Sequence, residues 1–437
     1  MMNYFANVTR WFRREEGGMT LFGLYFLIIG FMVGGYAVDM ASVAATRERL
    51  QATADAVAHS AIYLRDSSSE DEAIAGALAI AEEWMPEANY GTVISSDDIK
   101  FGTWDSATET FTASSGTTDA VQVQMHRTNA SGNPVRALML VWSDDNYWDL
   151  TATAVFNTYI PDCLREGFVS NGVVDLQSNN GFAAGFCVHS NSYVSLNNNN
   201  SFEAGTVVSM PDLDDLDMNQ NGFKKNPGLE SALREGSYNI RMLNNVSDII
   251  DGLLYANDAY LPDYITGVSW LGINNTNLTA SEFTTGRIHY LACSSGNTAN
   301  FNLGGVTLSE IVLITNCKIT FGNGTVLEDS IIATTSTSDE SFKGPNGIQI
   351  GASDSCAAGG GATLITKGGM KFASGLQLHG GRLIALGDIS FAANADGING
   401  ASIIAGGEID GSSNTTMNFC GSGMEANYEA MYFRLAS

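Results

Sequence analysis

Three heptapeptides near the C-terminus align without gaps: LITKGGM at 364–370, LIALGDI at 383–389 and IIAGGEI at 403–409, at offsets of 19 and 20 residues. A segment repeated at such a period, with paired aliphatics followed by glycines, cannot bury its own apolar face. It has to stack on its neighbours, one coil per repeat. Leucine-rich repeats have a similar length, but their LxxLxL frame with its Asn is missing. The period therefore predicts an all-β right-handed parallel β-helix, a solenoid, over residues 161–437. Runs such as GVVDLQSNNGF, YVSLNNNNSFEAGTVVSM, IVLITNCKITFGNGTVL and SIIATTS supply further short strands, and Asn197 to Asn200 suit corners that need left-handed backbone. LESALREG and VSDIIDGLLYANDAYL read as helical, so a helical insertion is expected at about 211–290. A β-sandwich is the competing fold for the region, because regular strand spacing suits it too.

The other end of the chain imposes a different constraint. Arg10, Arg13 and Arg14 precede GGMTLFGLYFLIIGFMVGGYAV, which carries no charge until Asp39. Met19 to Val38, with Leu21, Phe22, Leu24, Phe26, Leu27, Ile28, Ile29 and Phe31 between them, reach roughly 30 Å as a helix, the thickness of a bilayer's hydrocarbon core. A cleaved secretory signal would have a shorter apolar stretch and a small-residue cleavage site, whereas here a charged helical pattern continues, which favours an uncleaved anchor. The arginines place residues 1–18 in the cytoplasm as a leader and the bulk outside it, periplasmic or at the cell surface. Val43, Leu50, Val57 and Leu64 recur every seven residues with Ala54 and Ala61 between them, so the transmembrane helix is expected to continue as an exported one to residue 64. Within the span, Gly30 and Gly34 form a small-xxx-small pair that would admit another helix.

Between these ends, SSSEDEAIAGALAIAEEWMPE reads as a helix capped by Ser69 and closed by Pro86. IKFGTW, ETFTAS, DAVQVQMHR, VRALMLVW and LTATAVFNTYI then read as strands, with Val121, Val123 and Met125 on one face. A small α+β domain over 65–160 is the expectation. The formal net charge of -26 excludes nucleic acid as a partner, since phosphate binding needs clustered Lys and Arg. All six cysteines lie beyond residue 160, an even number that suits disulfides in an oxidising compartment. Cys163 to Cys187 and Cys293 to Cys317 are both 24 apart, which makes them local pairs and leaves Cys356 with Cys420.

The ordered set of Gly18, the apolar segment, Val38-Asp39, Arg49-Leu50-Gln51 and Ala54-Asp55-Ala56 resembles the N-terminal region of TadG-like (TadE/TadG) proteins of the Tad/Flp pilus-assembly family. The resemblance implies a single-pass protein of the bacterial inner membrane, with other Tad pilus-assembly proteins or pilins as partners and a surface polysaccharide or substratum as a further one. It does not extend to a processed pilin, because the fifth residue after Gly18 is Gly23 where prepilins carry Glu. Pro161-Asp162-Cys163 and the Cys187-Val188-His189-Ser190-Asn191-Ser192 run also resemble this family. The DxSxS metal motif of some members is absent, since Glu70 stands where its second Ser would be.

Catalytic signatures are missing. The five histidines are scattered, and no HExxH, GxSxG or P-loop occurs. Asp217, Asn219 and Asn221 before Gly222 match the first half of a calcium loop, but Gly228 stands where a bidentate Glu is needed. The reading is a non-enzymatic envelope protein for pilus assembly or attachment, without a required cofactor. The alternative is a membrane-anchored β-helix polysaccharide lyase or hydrolase that uses paired carboxylates.

Overall fold

The computed structural model describes residues 17–139, 146–294, 297–302, 306–411, 413–421, 428 and 430–436; the arginine-bearing leader lies outside the described residues. The chain forms two compact units, one ending at Tyr159 but regaining the chain from Met431 onward, the other spanning Ile160–Ala430.

The first unit is built on α1, Gly17–Arg65, a single helix of 49 residues. In its last third, Leu50, Ala54, Val57, Ala58, Ala61 and Ile62 are buried, a stripe at helical spacing. Ala73, Ala77 and Ala81 of α2, Glu70–Trp84, meet that stripe, small residues that let the two helices approach closely. Ser69 caps α2 in a capping box with Glu72, and Met85 closes it one residue before Pro86. Beneath the helices lies an antiparallel sheet of β1 (Ile99–Asp105), β2 (Thr110–Ala113), β3 (Ala120–Arg127) and β4 (Leu150–Tyr159), in the order β2-β1-β3-β4. Val121, Val123 and Met125 point from it into the helical layer. Two expectations are corrected. VRALMLVW is not a sheet strand: only Val135–Arg136 is extended, paired with Tyr147–Trp148 away from the main sheet, and 140–142 lie outside the described residues. The domain does not end at 160 either, because Tyr432–Leu435 returns as a fifth strand on the edge of β4.

The second unit is a stack of coils with parallel pairing throughout, which rules out the antiparallel β-sandwich. The C-terminal repeats set the register: Leu364 pairs with Leu383 and Leu383 with Ile403, and likewise Met370 with Ile389 and Ile389 with Ile409. Each coil contributes rungs to three faces. On the first face the spatial order is 267–273, 287–291, 311–315, 330–334, 362–366, 381–385, 402–405, 167–170, 187–190, 207–210 and 233–235.

This order is not the chain order. The first coil, 167–182, lies between the second coil and the last, with Gly167 beside both Cys187 and Ser402. The chain therefore begins inside the stack and builds outward to Leu233–Glu235. It then returns to the far end and fills inward until its last coil meets its first. The return runs through α3, Arg241–Leu254, whose Met242, Leu243, Val246, Ile249, Ile250 and Leu253 are buried. Its 14 residues reach roughly 21 Å, about four rungs at sheet spacing, and it packs along the rungs from 287–291 to 402–405. The expected insertion at 211–290 is thus narrower, about 236–266, because 217–218, 233–235, 267–273 and 277–278 are rungs. LESALREG divides into a helical turn, Leu229–Ala232, and the rung Leu233–Glu235.

Inside, Phe301, Phe321 and Phe342 form a column with ring centroids 5.1 and 5.9 Å apart, one phenylalanine per coil. Asparagines line one corner in two columns. Asn179, Asn199 and Asn414 hold φ of 64°, 66° and 59° and pass side-chain hydrogen bonds from coil to coil. Next to them, buried Asn180, Asn200 and Asn226 accept the backbone N–H of Thr415, Asn180 and Asn200 in the neighbouring coil. Three disulfides join Cys163–Cys187, Cys293–Cys317 and Cys356–Cys420, with Cα separations of 4.8, 5.3 and 5.7 Å. Cys293 and Cys317 follow Leu291 and Thr315, which pair in adjacent rungs, so this bridge joins one long coil to the next. Cys163 instead sits in the turn Asp162–Arg165 that leads into the stack, because the coil partner of Cys187 is Gly167.

Candidate functional site

Among the described residues, nothing covers the apolar side chains of the span in α1. Met19, Leu21, Phe22, Leu24, Phe26, Leu27, Ile28, Ile29, Phe31 and Val38 are all exposed. A helix apolar on every face and bare on every face is matched to lipid rather than water. It is the one helix among the described residues long and apolar enough to cross a membrane. Gly30 and Gly34 have open space around them, and the glycine that meets another segment is the adjacent Gly35, against Met139.

The remaining motif residues do structural work where α1 leaves the apolar stretch. Gly18 lies in the first turns of α1. Asp39 is buried and accepts the backbone N–H groups of Leu138 and Met139. Arg49 donates to the Tyr90 hydroxyl and stacks over its ring, which Arg127 also faces. Leu50 is in the core. Gln51 donates to Asp55 at 2.9 Å and to the carbonyl of Thr153 at 3.0 Å, tying helix to sheet. The motif thus fixes the helix to its domain.

On the solenoid, the second face carries a charged column whose register follows the coils: Lys343, Lys371, Ser390, Asp410, Asp175, Ser195 and Asp217. At the basic end, Glu340 bridges Lys343 and Lys371 at 2.7 and 3.3 Å, and these lysines hold its carboxyl below the usual range. At the acidic end, partial burial and the charge of Asp175 push the Asp410 carboxyl up. Glu408 is raised by the same causes, with Asp410, Asp175 and Asp388 all nearby. The sequence signal was available, since Asp175 and Asp410 close the equivalent VVD and EID tripeptides of coils that are stacked in space. It was missed because these coils are far apart in the chain.

A family model described as a domain of unknown function, DUF7867, matches residues 167–421, more than half of the chain. The chain belongs to this family. The DUF7867 region coincides with the coils, from the first rung to the turn after the last. A second model, for Flp pilus-assembly TadE/G-like proteins, matches residues 17–70, the span and the helix beyond it. The chain thus carries an N-terminal TadE/G-like domain, which supports a pilus-related role in the cell envelope and a membrane-anchored protein. No curated protein and no solved structure matches it.

Within the DUF7867 domain the half calcium loop follows the course of a single coil. Asp217 pairs with Ser195 in a rung, the Asn219 amide donates toward Asn197 at 3.4 Å, and Asn221 sits in left-handed backbone before the turn Gly222–Lys225. Asp217 and Asn219 are thus each engaged by the neighbouring coil, at Ser195 and Asn197. Among the described residues no three His, Cys, Asp or Glu are placed to share a cation. One group looks catalytic in outline: His189 Nδ1 lies 2.7 Å from Ser209 Oγ, and its Nε2 lies 3.0 Å from Asn191 Oδ1. But His189 and Ser209 are both sealed from solvent, and burial holds the imidazole's pKa below its ordinary value. With Tyr238 packed edge-on over His189 and bonded through its backbone to Asn191, this group fastens the returning chain to the stack.

Proposed function

We propose that the protein is a non-enzymatic envelope component of a Tad/Flp-type pilus system, acting in assembly or as a pilus-associated attachment factor. The observation that carries this reading is the continuity of α1: one uninterrupted helix is bare and apolar at one end and the core of a folded domain at the other, over the stretch that matches TadE/G-like proteins. On this reading α1 is held in the bacterial inner membrane with its N-terminus in the cytoplasm, as the arginines of the leader favour. Other Tad assembly proteins or pilins are its partners. The coils wind right-handed, as parallel crossovers nearly always do, and they offer a long polar face to a partner or substratum. No cofactor is needed, so chelation with EDTA should leave partner binding unchanged.

A deletion strain tests the proposal. Loss of piliation or of surface attachment, restored by the full-length gene, is expected; normal pili and normal attachment would refute it. The competing reading, a membrane-tethered polysaccharide lyase or hydrolase, draws on the neighbouring carboxylates of Asp175 and Asp410, the second of which is raised by partial burial and by the charge of the first. Turnover of a uronate polymer by the purified chain, abolished by Asp410→Asn, would establish that reading in place of ours.

A further inference from the structure

Asp39 is the first charge after the apolar run, yet its side chain is only 1% exposed. Oδ1 accepts the N–H of Leu138 at 2.8 Å and of Met139 at 3.0 Å, and the Met139 N–H also reaches Oδ2 at 3.3 Å. A buried carboxylate needs such donors, and two backbone N–H groups supply a charge-assisted clasp. The clasp draws the segment Ala137–Met139 down beside α1. A Cβ built on Gly35 would lie 3.3 Å from that of Met139. Gly35 is one turn before Asp39, roughly 6 Å along the axis toward the membrane. Met139 is therefore level with the apolar run, below the residue at which α1 leaves it. Despite this contact, Leu138 and Met139 are 62% and 53% exposed, so the helix engages their backbone while their side chains face away from the protein. These exposed apolar side chains lie beside the apolar run, at the level of Gly35.

We propose that Ala137–Met139 is an interfacial foot. Leu138 and Met139 seat in the boundary between headgroups and acyl chains of the leaflet through which α1 emerges, and Asp39 sets their depth. The foot rests on the reading of α1 as a membrane span. It makes the attachment of this domain two-point: a helix through the bilayer and a loop on it, which together fix the depth and rotation of α1. An isolated helix would be free to tilt and turn.

The test uses the full-length chain in vesicles of phosphatidylethanolamine with a minority of phosphatidylglycerol. An environment-sensitive fluorophore is attached to Leu138→Cys or Met139→Cys, with Phe26→Cys as the reference within the span and Thr112→Cys as the reference in water. Blue-shifted emission at 138 and 139, quenching by nitroxides near the headgroups, and reduction by dithionite several-fold slower than at 112 are expected. In an Asp39→Ala background the label at 138 should move to the behaviour of 112 while that at 26 is unchanged; no movement would refute the clasp. If the label at 26 is itself aqueous, the span reading fails. If 26 is protected while 138 and 139 behave like 112, the foot alone fails. Protection that grows with the protein-to-lipid ratio would mark a neighbouring chain instead of lipid and would also overturn the proposal.

Discussion

Replacing Glu166 should loosen the seam where the first coil meets the last. Its side chain is fully buried, with Oε2 accepting the N–H of Cys420 at 2.6 Å and Oε1 that of Gly421 at 2.5 Å. Ala would leave both N–H groups buried and unbonded, and each such orphan costs about 1–3 kcal/mol, so about 2–6 kcal/mol together. Part of that is offset, because burial raises the carboxyl's pKa by more than the two N–H bonds lower it, and removing a disfavoured charge returns some free energy. The net expectation is about 2–4 kcal/mol. Gln keeps the shape and one acceptor but turns an amide donor toward the second N–H, so its effect should fall between wild type and Ala. The sign of the pH dependence follows from the raised pKa. The folded state keeps its proton to higher pH than the unfolded chain, so this contribution is complete below the ordinary Glu range and is lost as pH rises through the folded value. In Glu166→Gln that slope should disappear. Urea unfolding of the full chain in micelles measures the loss, and amide exchange at 167–170 and 402–405 locates it. An unchanged midpoint with unchanged exchange at both rungs would refute the account of the seam.

Four further outcomes are expected. Phe321→Ala, in the middle of the phenylalanine column and fully buried, should destabilise by about 3–5 kcal/mol in urea unfolding, and a loss well under 1 kcal/mol would mean that the column is not close-packed. Gly351→Ala should lower the unfolding midpoint by more than about 1 kcal/mol, because φ is +92° there and a Cβ would lie 1.6 Å from the His379 carbonyl oxygen; an unchanged midpoint contradicts the turn geometry. Joint replacement of Cys293 and Cys317 by Ser should remove on the order of 3 kcal/mol, as for a closed loop of that length, and reduction of the wild type should add nothing further from this bridge to the double variant. Asp410→Asn should raise thermal stability at neutral pH and leave it unchanged in acid, because burial and Asp175 disfavour the charge of Asp410; a drop at neutral pH would show that the charge is instead favourable.

Local signals told most about local structure. The α1 stripe, the Ser69 cap and the alternation of Val121, Val123 and Met125 are short-range patterns, and the structure follows them. The same holds for the repeats at 364, 383 and 403, whose alignment is the ladder register. A second repeat was equally legible and went unread: Val174, Leu176 and Phe182 recur as Val194, Leu196 and Phe202, in register at an offset of 20. What no local pattern could reveal is which coils touch across long stretches of chain. Parallel stacking looks alike at every seam, so nothing in the residues around Gly167 announces that Ser402 is their neighbour. For the same reason Tyr432–Leu435 read as the end of the solenoid although it completes the sheet of the other unit. VRALMLVW misled because its apolar content suits a strand, whereas Leu138 and Met139 turn their backbone to Asp39.

The out-of-order stacking sets a timetable for a chain made from its N-terminus. When residues 167–235 first emerge, one flank of their rungs has no partner, and it stays open until 402–417 arrive nearly the full length of the domain later. The α+β sheet likewise waits for Tyr432–Leu435, made more than 270 residues after its partner strand Leu150–Tyr159. Neither unit can close before these late segments are made, so a ribosome that stops short of them yields two bodies with raw strand edges, open to pairing with other chains.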